Sequence, residues 1–286
     1  MHQHDKVLNS ILSNLDKKSE CAANYFKPLP PITPSRKEVI LIIKNIQSLM
    51  FPEYFHLSEN EGKSREEILD SVFFALKRQI TASYAFGSKE AAKDTETLAY
   101  EILSLIPGIK EKLIKDVQAI YEGDPAARSP EEVILSYPGF YAISIYRLAH
   151  EFYVRDIPFI GRLMTEFAHE KTGIDIHAGA TIGEYFCIDH GTGIVVGETA
   201  TIGDRVKLYQ GVTLGAKSFE LDENANPIKG TKRHPDIGNG CIIYAGATIL
   251  GGNTKIGDGT VIGGNVWLTH SVGAGKVVYY GRENEH

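Results

Sequence analysis

The chain has 286 residues, a formal net charge of −6 and 23% charged residues. This mildly acidic balance does not favour nucleic acid or an anionic membrane surface as a partner. The three cysteines are too few and too scattered for a disulfide framework or a cysteine-based zinc site. No apolar run approaches the roughly 20 residues that span a bilayer. The N-terminus lacks the apolar core of a signal peptide, so we expect a cytoplasmic protein.

The first part of the chain carries the signals of amphipathic helices. Ser64 and Glu67 form a capping-box pattern ahead of a helical apolar stripe. The pair Pro107–Gly108 is expected to end one helix, with another following it. Ser129 and Pro130 supply an N-cap and a proline at the first helical position. These signals predict a helical bundle.

From Ile176 to Leu268 the chain repeats with a period of six. The recurring aliphatic residues are Ile176, Ile182, Ile188, Ile194, Ile202, Leu208, Leu214, Ile237, Ile243, Ile249, Ile256, Ile262 and Leu268. Glycine follows many of them, as tight corners require. A period of six fits neither a helix nor an alternating strand. It predicts a β-solenoid whose coils stack their aliphatic side chains into one core.

These patterns divide the chain into three parts and predict an α+β fold class. Residues 1–172 form an α-helical domain, in which residues 1–35 are a separate or flexible extension. Residues 173–275 form the β-solenoid, with an inserted loop at about 217–232. Insertions into a solenoid become loops on one face, which is often the binding face. Residues 276–286 form a short C-terminal tail.

Two polar residues of the repeat region are candidates for a carboxylate–imidazole pair. Asp175 and His190 are separated by a little less than one coil of three repeats, which can bring them together at one corner. A carboxylate beside an imidazole is the usual arrangement of a general base. A lone histidine in a turn is more often solvated, so spacing alone leaves both interpretations open. His177 is by the same standard a structural residue.

Several motifs resemble those of the bacterial serine O-acetyltransferases. They are the segment 137–142, Arg147, His150, Asp175-Ile-His177, the segment 189–199 and Arg233-His234-Pro235. The run Asp-His-Gly-Thr-Gly-Ile-Val-Val-Gly-Glu-Thr at 189–199 is highly specific among hexapeptide-repeat acyltransferases. The similarity covers roughly residues 120–268. It implies a left-handed parallel β-helix, a homotrimer or a dimer of trimers, and active sites between subunits.

The chemistry implied by the resemblance is acetyl transfer from acetyl-CoA to the hydroxyl of L-serine, in cysteine biosynthesis. His190 would remove the hydroxyl proton, and Asp175 would orient the imidazole and stabilise its protonated form. The products would be O-acetyl-L-serine and CoA.

Four residues would bind the serine zwitterion according to the same resemblance. Asp124 and Asp189 would hold the ammonium group. Arg233 would hold the carboxylate through a bidentate pair, assisted by His234. L-Cysteine differs from serine by one atom and presents the same two charges, so we expect it to inhibit competitively.

Acetyl-CoA would lie in a groove between coils and contact mainly the backbone. The expected contact residues are Gly215, Ala216, Lys217, Ala245 and Gly264. The family commonly has Leu-Gly-Gly-Thr-Gly where this chain has Leu-Gly-Ala-Lys-Ser at 214–218. Lys217 therefore either meets a phosphate of CoA or is solvated.

Three other functions are compatible with a solenoid. Another hexapeptide-repeat acetyltransferase would act on a different small hydroxyl or amine acceptor. A γ-type carbonic anhydrase needs three histidines on zinc, and its usual His-x4-His spacing is absent from this sequence, so no metal is expected. A non-catalytic scaffold would leave the constellation of Asp175, His190, Arg233 and His234 unexplained.

A last expectation concerns a protein partner. Many serine acetyltransferases extend into a tail whose terminal isoleucine enters the active site of cysteine synthase. Here only about six polar residues follow Tyr280, and the sequence ends at His286. We therefore expect the complex with cysteine synthase to be absent or weak.

Overall fold

The computed structural model describes residues 3–17, 29–91, 93–218, 222–223, 226, 228, 230–280 and 282–284. In this part of the chain, seven α-helices precede fifteen short β-strands. The helices are α1 (Gln3–Leu15), α2 (Arg36–Met50), α3 (Arg65–Gly87), α4 (Thr95–Gly123), α5 (Pro130–Ser136), α6 (Pro138–Val154) and α7 (Ile160–Thr172). None of the described helices is long and apolar enough to cross a bilayer.

The strands build three sheets that run along the solenoid. They are β1 (Asp175–Ile176), β2 (Thr181–Ile182), β3 (Cys187–Asp189), β4 (Val195–Val196), β5 (Thr201–Ile202), β6 (Lys207–Tyr209), β7 (Thr213–Gly215), β8 (Asp236–Ile237), β9 (Ile242–Ile243), β10 (Thr248–Leu250), β11 (Lys255–Ile256), β12 (Val261–Ile262), β13 (Trp267–Leu268), β14 (Val277–Tyr279) and β15 (Arg282–Asn284). The sheet orders are β1-β4-β7-β10-β13, β11-β8-β5-β2 and β15-β14-β12-β9-β6-β3. We call them the first, second and third sheets.

The strand register confirms the predicted α+β fold, with helices followed by a parallel β-solenoid. In the first sheet, Ile176 pairs with Val196, Val196 with Leu214, and Leu214 with Ile249. All four side chains are at most 3% exposed. Each coil therefore places one aliphatic residue above the last, and the stack forms a continuous core.

One position of the predicted repeat is wrong. The strand residue of the fourth repeat is Val196 rather than Ile194, because two extra residues lie at the corner after β3. Ile194 is fully buried at the end of that corner, two residues before Val196. His190 and Gly191 adopt positive φ angles of 59° and 89° within it. The insertion thus lies at the histidine itself.

The helix signals are largely confirmed, with one correction. Ser64 and Glu67 exchange the two hydrogen bonds of a capping box, at 3.2 and 2.7 Å. The expected break at Pro107–Gly108 is wrong, because α4 continues through both residues. Ile102 and Ile109 are buried on either side of this point. A proline removes one backbone hydrogen bond, and packing of the continuous apolar face outweighs that local cost.

Helix α6 lies across the open end of the first coil. Tyr146 donates to the carbonyl oxygen of Ala180 at 2.5 Å, and Arg147 donates to that of Gly183 at 2.7 Å. Arg147 also forms a buried bidentate pair with Asp116 of α4, at 2.5 and 2.8 Å. These contacts fix the helices to the solenoid and so position the end of α4.

Two further segments complete the solenoid, namely the strands at its C-terminal end and the inserted loop. Strand β14 continues the third sheet, and β15 folds back antiparallel on it, so strands extend beyond residue 275. The loop between β7 and β8 spans 216–235, and residues 219–221, 224, 225, 227 and 229 lie outside the described part. Residues 285–286, on which the expectation about cysteine synthase partly depends, also lie outside it.

Candidate active site

The candidate residues gather at two corners on opposite edges of the first sheet. We call the corner between the third and first sheets the His190 corner. It comprises the turn residues 190–194, 210–212, 244–247 and 263–266 of successive coils, together with four residues beside these turns, Asp124, Asp175, Asp189 and Lys207. We call the corner between the first and second sheets the Arg233 corner. It comprises residues 177–180, 197–200, 251–254 and the described residues of the loop 216–235.

His190 lies exposed in an unusual backbone conformation. Its φ of 59° is uncommon for a residue other than glycine, and its side chain is 75% exposed. The ring Nδ1 lies 2.6 Å from Oδ1 of Asp189. Gly191 follows, where a Cβ would come within 2.6 Å of the Ile174 side chain. An imidazole that donates from Nδ1 to a carboxylate keeps Nε2 as the atom that accepts a proton.

Asp189 is held from its other side by a residue that the sequence analysis missed. Its Oδ2 lies 2.8 Å from Nζ of Lys207, and both side chains are mostly buried. Lys207 also donates to the carbonyl oxygen of Gly123 at 2.6 Å. In the sequence, Lys207 precedes the buried Leu208, a position that is usually solvated. The contact follows only from the observed register, which pairs Lys207 with Cys187 and so places Lys207 close to Asp189.

Asp124 belongs to the same corner through the end of α4. Its carboxylate accepts hydrogen bonds from the Tyr137 hydroxyl and the Ala126 amide, at 2.7 and 2.8 Å. The hydrogen bond from Tyr137 is the main cause that lowers the pKa of Asp124. The same bond raises the pKa of Tyr137 to about 12. Asp124 is therefore an anion near neutral pH, close to Asp189 and His190.

Asp175 opens β1 on the same side of the first sheet. Its backbone amide donates to the carbonyl oxygen of Ile194 at 2.9 Å, just beyond the His190 turn. Among the described residues, the ring of His190 makes its hydrogen bond to Asp189 rather than to Asp175. The orienting role of Asp175 therefore stays a prediction.

Arg233 sits at the other corner in a network of its own. Its guanidinium forms an ion pair with Glu198, and its backbone amide donates to Oγ1 of Thr199 at 3.0 Å. Glu198 in turn accepts a hydrogen bond from the Tyr153 hydroxyl at 2.7 Å. Burial opposes ionisation of Glu198, but these hydrogen bonds keep the pKa of its carboxyl below the usual value. The sequence analysis gave Glu198 no role, although it lies in the motif at 189–199, and it did not identify Tyr153.

His234 is fixed in one protonation state. Its Nδ1 accepts a hydrogen bond from the Thr199 amide at 3.1 Å, so a neutral ring carries its proton on Nε2. The ring packs against Gly197, where a Cβ would lie 2.1 Å from Nε2. Burial, with a further contribution from Arg233, lowers the pKa of His234 to about 4. His234 is thus a neutral hydrogen-bond donor rather than a base at pH 7.

The five residues expected at acetyl-CoA divide between the corners. Gly215 ends β7, and Ala216 and Lys217 follow at the Arg233 corner, whereas Ala245 and Gly264 lie at the His190 corner. A cavity of about 260 Å³ beside the Arg233 corner is lined by Lys217, Ser218, Ile228, Thr231, Lys232, Arg233, Gly251, Gly252, Asn253, Thr254 and Thr269. Its cationic rim suits an anionic ligand.

One chain cannot close the two corners around a small molecule. A strand of three residues at about 3.3 Å per residue separates them by roughly 10 Å or more, farther than serine reaches. Asp124, Asp189 and His190 are brought together on one edge, and Arg233 and His234 on the other. Each edge supplies half of what a zwitterionic substrate requires.

Comparison with known proteins gives a consistent result. Residues 66–144 match the family described as the N-terminal region of serine acetyltransferase. The chain is 42% identical to a plasmid serine acetyltransferase of Synechococcus elongatus, over 95% of this chain and 90% of that one. It is 46% identical to serine acetyltransferase of Bacillus subtilis, over 56% of this chain and 69% of that one.

Solved structures agree with these relatives. Serine acetyltransferase isoform 3 of Entamoeba histolytica, solved in complex with cysteine, superposes with a TM-score of 0.72 at 33% identity. The alignment covers 96% of this chain and 91% of that chain. Native serine acetyltransferase 1 of the same organism gives a TM-score of 0.73 at 34% identity, covering 93% and 94%. Since the resemblance spans nearly the whole chain, the protein belongs to the serine acetyltransferase family.

Proposed function

We propose that this serine acetyltransferase binds L-serine between the His190 corner of one chain and the Arg233 corner of a neighbouring chain. The observation that carries the proposal is the placement of Asp124, Asp189 and His190 on one edge of the first sheet and of Arg233 and His234 on the opposite edge. Asp124 and Asp189 suit the serine ammonium, and Arg233 suits the carboxylate. His234 adds a fixed Nε2–H donor beside Arg233. A homotrimer, or a dimer of trimers, brings unlike corners together around a three-fold axis.

His190 is the general base of the proposed reaction. Asp189 holds Nδ1–H, so Nε2 accepts the serine hydroxyl proton as Oγ attacks the thioester carbon. The tetrahedral intermediate then breaks its carbon–sulfur bond, and His190 returns the proton to the departing CoA thiolate. The products are O-acetyl-L-serine and CoA. Asp175, at the same corner, is the second candidate for stabilising the imidazolium.

Acetyl-CoA is the acyl donor in this proposal. Ala245 and Gly264 border the His190 corner, where the thioester must lie. The neighbouring chain contributes its Arg233 corner, which includes Ala216 and Lys217, and Gly215 directly before them. The ammonium of Lys217 suits a CoA phosphate. The cavity beside Lys217 offers room for the charged end of the molecule.

L-Cysteine is the proposed inhibitor, because it presents the same ammonium and carboxylate as serine. Structures of two Entamoeba histolytica relatives were solved with cysteine bound. We also place the reaction in the cytoplasm, where the buried free thiols of Cys187 and Cys241 stay reduced.

A thiol-release assay with acetyl-CoA tests the substrate. L-Serine is expected to drive CoA release, with threonine, glucosamine phosphate and buffer giving little. Release that does not depend on serine, or none at all, contradicts the proposed function. Higher activity with the sugar amine identifies the alternative, an acetyltransferase with another acceptor.

Mixing two variants that are each nearly inactive at low serine concentration tests the shared site. Chains carrying His190→Ala and chains carrying Arg233→Ala are unfolded together, refolded and assayed. A random cyclic trimer contains about a quarter of interfaces with both residues intact, so about a quarter of wild-type activity is expected. The matched control mixes His190→Ala with Asp189→Asn, which alter the same corner and restore nothing. Recovery in the control, or none in the test pair, contradicts a site between chains.

A further inference from the structure

Lys207 occupies a central place in the His190 corner that neither the repeat nor the proposed reaction explains. It begins β6, directly beside Cys187 of β3, and its side chain is 14% exposed. The Nζ atom lies 2.8 Å from Oδ2 of Asp189 and 2.6 Å from the carbonyl oxygen of Gly123. It also lies 4.5 Å from the centre of the Tyr209 ring. A buried ammonium with several partners is a fixed charge rather than a solvated one.

One oxygen partner of Lys207 belongs to Asp189, and the other belongs to Gly123, the residue before Asp124. Lys207 contacts the side-chain carboxylate of Asp189 directly. Gly123 is the last residue of α4, and Asp124 caps that helix. A Cβ at Gly123 would lie 3.3 Å from Sγ of Cys187, so the helix end approaches β3 closely. One side chain therefore ties the helix that carries Asp124 to the strand that carries Asp189.

The charges of the corner depend on the same residue. Asp124 and Asp189 contribute two negative charges, and Lys207 contributes one positive charge. The remaining single negative charge matches one substrate ammonium. Without Lys207, the negative charges of Asp124 and Asp189 would be uncompensated in this corner. Among the described residues, the Tyr137 hydroxyl, the Cys187 thiol and the Tyr209 ring also lie beside this cluster, and none of these three groups carries a positive charge.

We propose that Lys207 is a positioning residue for serine recognition. It sets the separation between Asp124 and Asp189, and it turns Asp189 so that Oδ1 holds the ring of His190. Lys207 acts through these residues and does not touch serine. This inference rests on the proposed function, because it assigns Asp124, Asp189 and His190 the roles given above.

Three variants distinguish the effect of the hydrogen bonds of Lys207 from the effect of its positive charge. Lys207→Met keeps the length of the stem and removes both hydrogen bonds and the charge. Lys207→Gln retains a donor for the Gly123 carbonyl without the charge. Lys207→Arg retains the charge in a longer, planar group. The control is Lys255→Met, since Lys255 also precedes the buried aliphatic residue of its strand but is exposed on the second sheet.

Steady-state kinetics give the first readout. Lys207→Met is expected to raise KM for serine roughly 10–100-fold, as loss of charge-assisted contacts does, while KM for acetyl-CoA changes less than about 2-fold. Lys207→Arg is expected to recover most of the serine affinity, with Lys207→Gln between the two. Lys255→Met is expected to behave as wild type.

Binding of L-cysteine gives a second readout that does not require turnover. Calorimetry is expected to show a dissociation constant for L-cysteine that is roughly 10–100-fold higher in Lys207→Met than in wild type, and close to the wild-type value in Lys207→Arg. An inactive wild-type enzyme contradicts the proposed function, and cysteine binding still tests Lys207. Unchanged serine KM together with unchanged cysteine affinity overturns the role of Lys207.

Discussion

The two corners of the solenoid each carry a histidine, and the pair shows how one fold prepares the same side chain for different tasks. His190 is 75% exposed in a left-handed backbone conformation, and its Nδ1 contacts an acid. His234 is 7% exposed, packs on Gly197, and accepts a backbone hydrogen bond at Nδ1. The first arrangement leaves a basic nitrogen available to a substrate. The second arrangement removes basicity and leaves a donor in a fixed direction.

Replacing the proposed general base is expected to have the largest effect and tests the assignment of the two histidines directly. His190→Ala is expected to lower kcat about 10²–10⁴-fold, the range for loss of a positioned general base. The fold should be unaffected, because His190 is exposed at a corner and lies outside the aliphatic stack. Serine-dependent CoA release measures the rate, and circular dichroism checks the fold. Retention of most of the activity would mean that the base is another group.

Acid stability tests the second histidine. The unfolded chain binds a proton on His234 near pH 6.5, but the folded chain does so only near its lowered pKa of about 4. The unfolded state therefore holds more protons between these values, so stability is fully present above pH 6.5 and is lost as the pH falls. His234 alone contributes about 2 kcal/mol to the loss between pH 7 and pH 5.

Urea unfolding at the two pH values measures this contribution. In His234→Asn the loss between pH 7 and pH 5 is expected to be smaller than in wild type by about that amount. Comparing each variant with itself at pH 7 cancels the lost packing on Gly197. Tyr100→Phe alters an exposed side chain and removes no group that titrates between pH 5 and pH 7, so it is the control and should keep the wild-type dependence. Equal pH dependence in all three proteins contradicts the locked state of His234.

The Arg233 corner is tested through binding rather than rate. Arg233→Ala is expected to raise KM for serine and the inhibition constant of L-cysteine by the same factor, roughly 10–100-fold, because both lose charge-assisted bonds to a carboxylate. Arg233→Lys keeps the charge but loses the planar fork, so an intermediate effect is expected. Loss of serine affinity with normal cysteine inhibition would show that cysteine binds at a separate site.

A smaller effect is expected at the hydroxyl that supports Asp124. Tyr137→Phe removes a single hydrogen bond of 2.7 Å to that carboxylate. KM for serine is expected to rise about 5-fold, corresponding to about 1 kcal/mol for one bond. Tyr100→Phe, which alters an exposed hydroxyl on α4, is the control. A change in kcat with no change in KM would argue that Tyr137 contacts the reaction rather than the ammonium site.

The repeat was sufficient to predict the solenoid, because stacked aliphatic residues leave a periodic record in the sequence. The exception at Ile194 shows where this record fails. A corner insertion shifts the strand by two residues while apolar side chains still occur on both sides of it. The helix break expected at Pro107 is wrong for a related reason, because local propensity does not include the packing of a long apolar face.

The candidate residues at each corner were found through a motif, but their partners were not. Lys207, Glu198 and Tyr153 contact them across coils or from a helix. Such contacts depend on coil length and on where α4 and α6 meet the solenoid. The family resemblance proposed that Asp175 holds the ring of His190, whereas the structure places Asp189 in that contact. Adjacent residues such as Asp189 and His190 give no periodic signal that distinguishes pairing from coincidence.

The ends of the solenoid have a consequence for how this protein stays discrete in solution. A stack of parallel strands is a template onto which another stack can add, as fibrils grow by repeated strand addition. Tyr146 and Arg147 donate to two carbonyl groups of the first coil, those of Ala180 and Gly183. At the other end, β15 runs antiparallel along β14, the last parallel strand of the third sheet. Both features obstruct growth by parallel addition. The helical domain is therefore also a barrier to polymerisation, and a fragment that begins at Asp175 is expected to associate end to end.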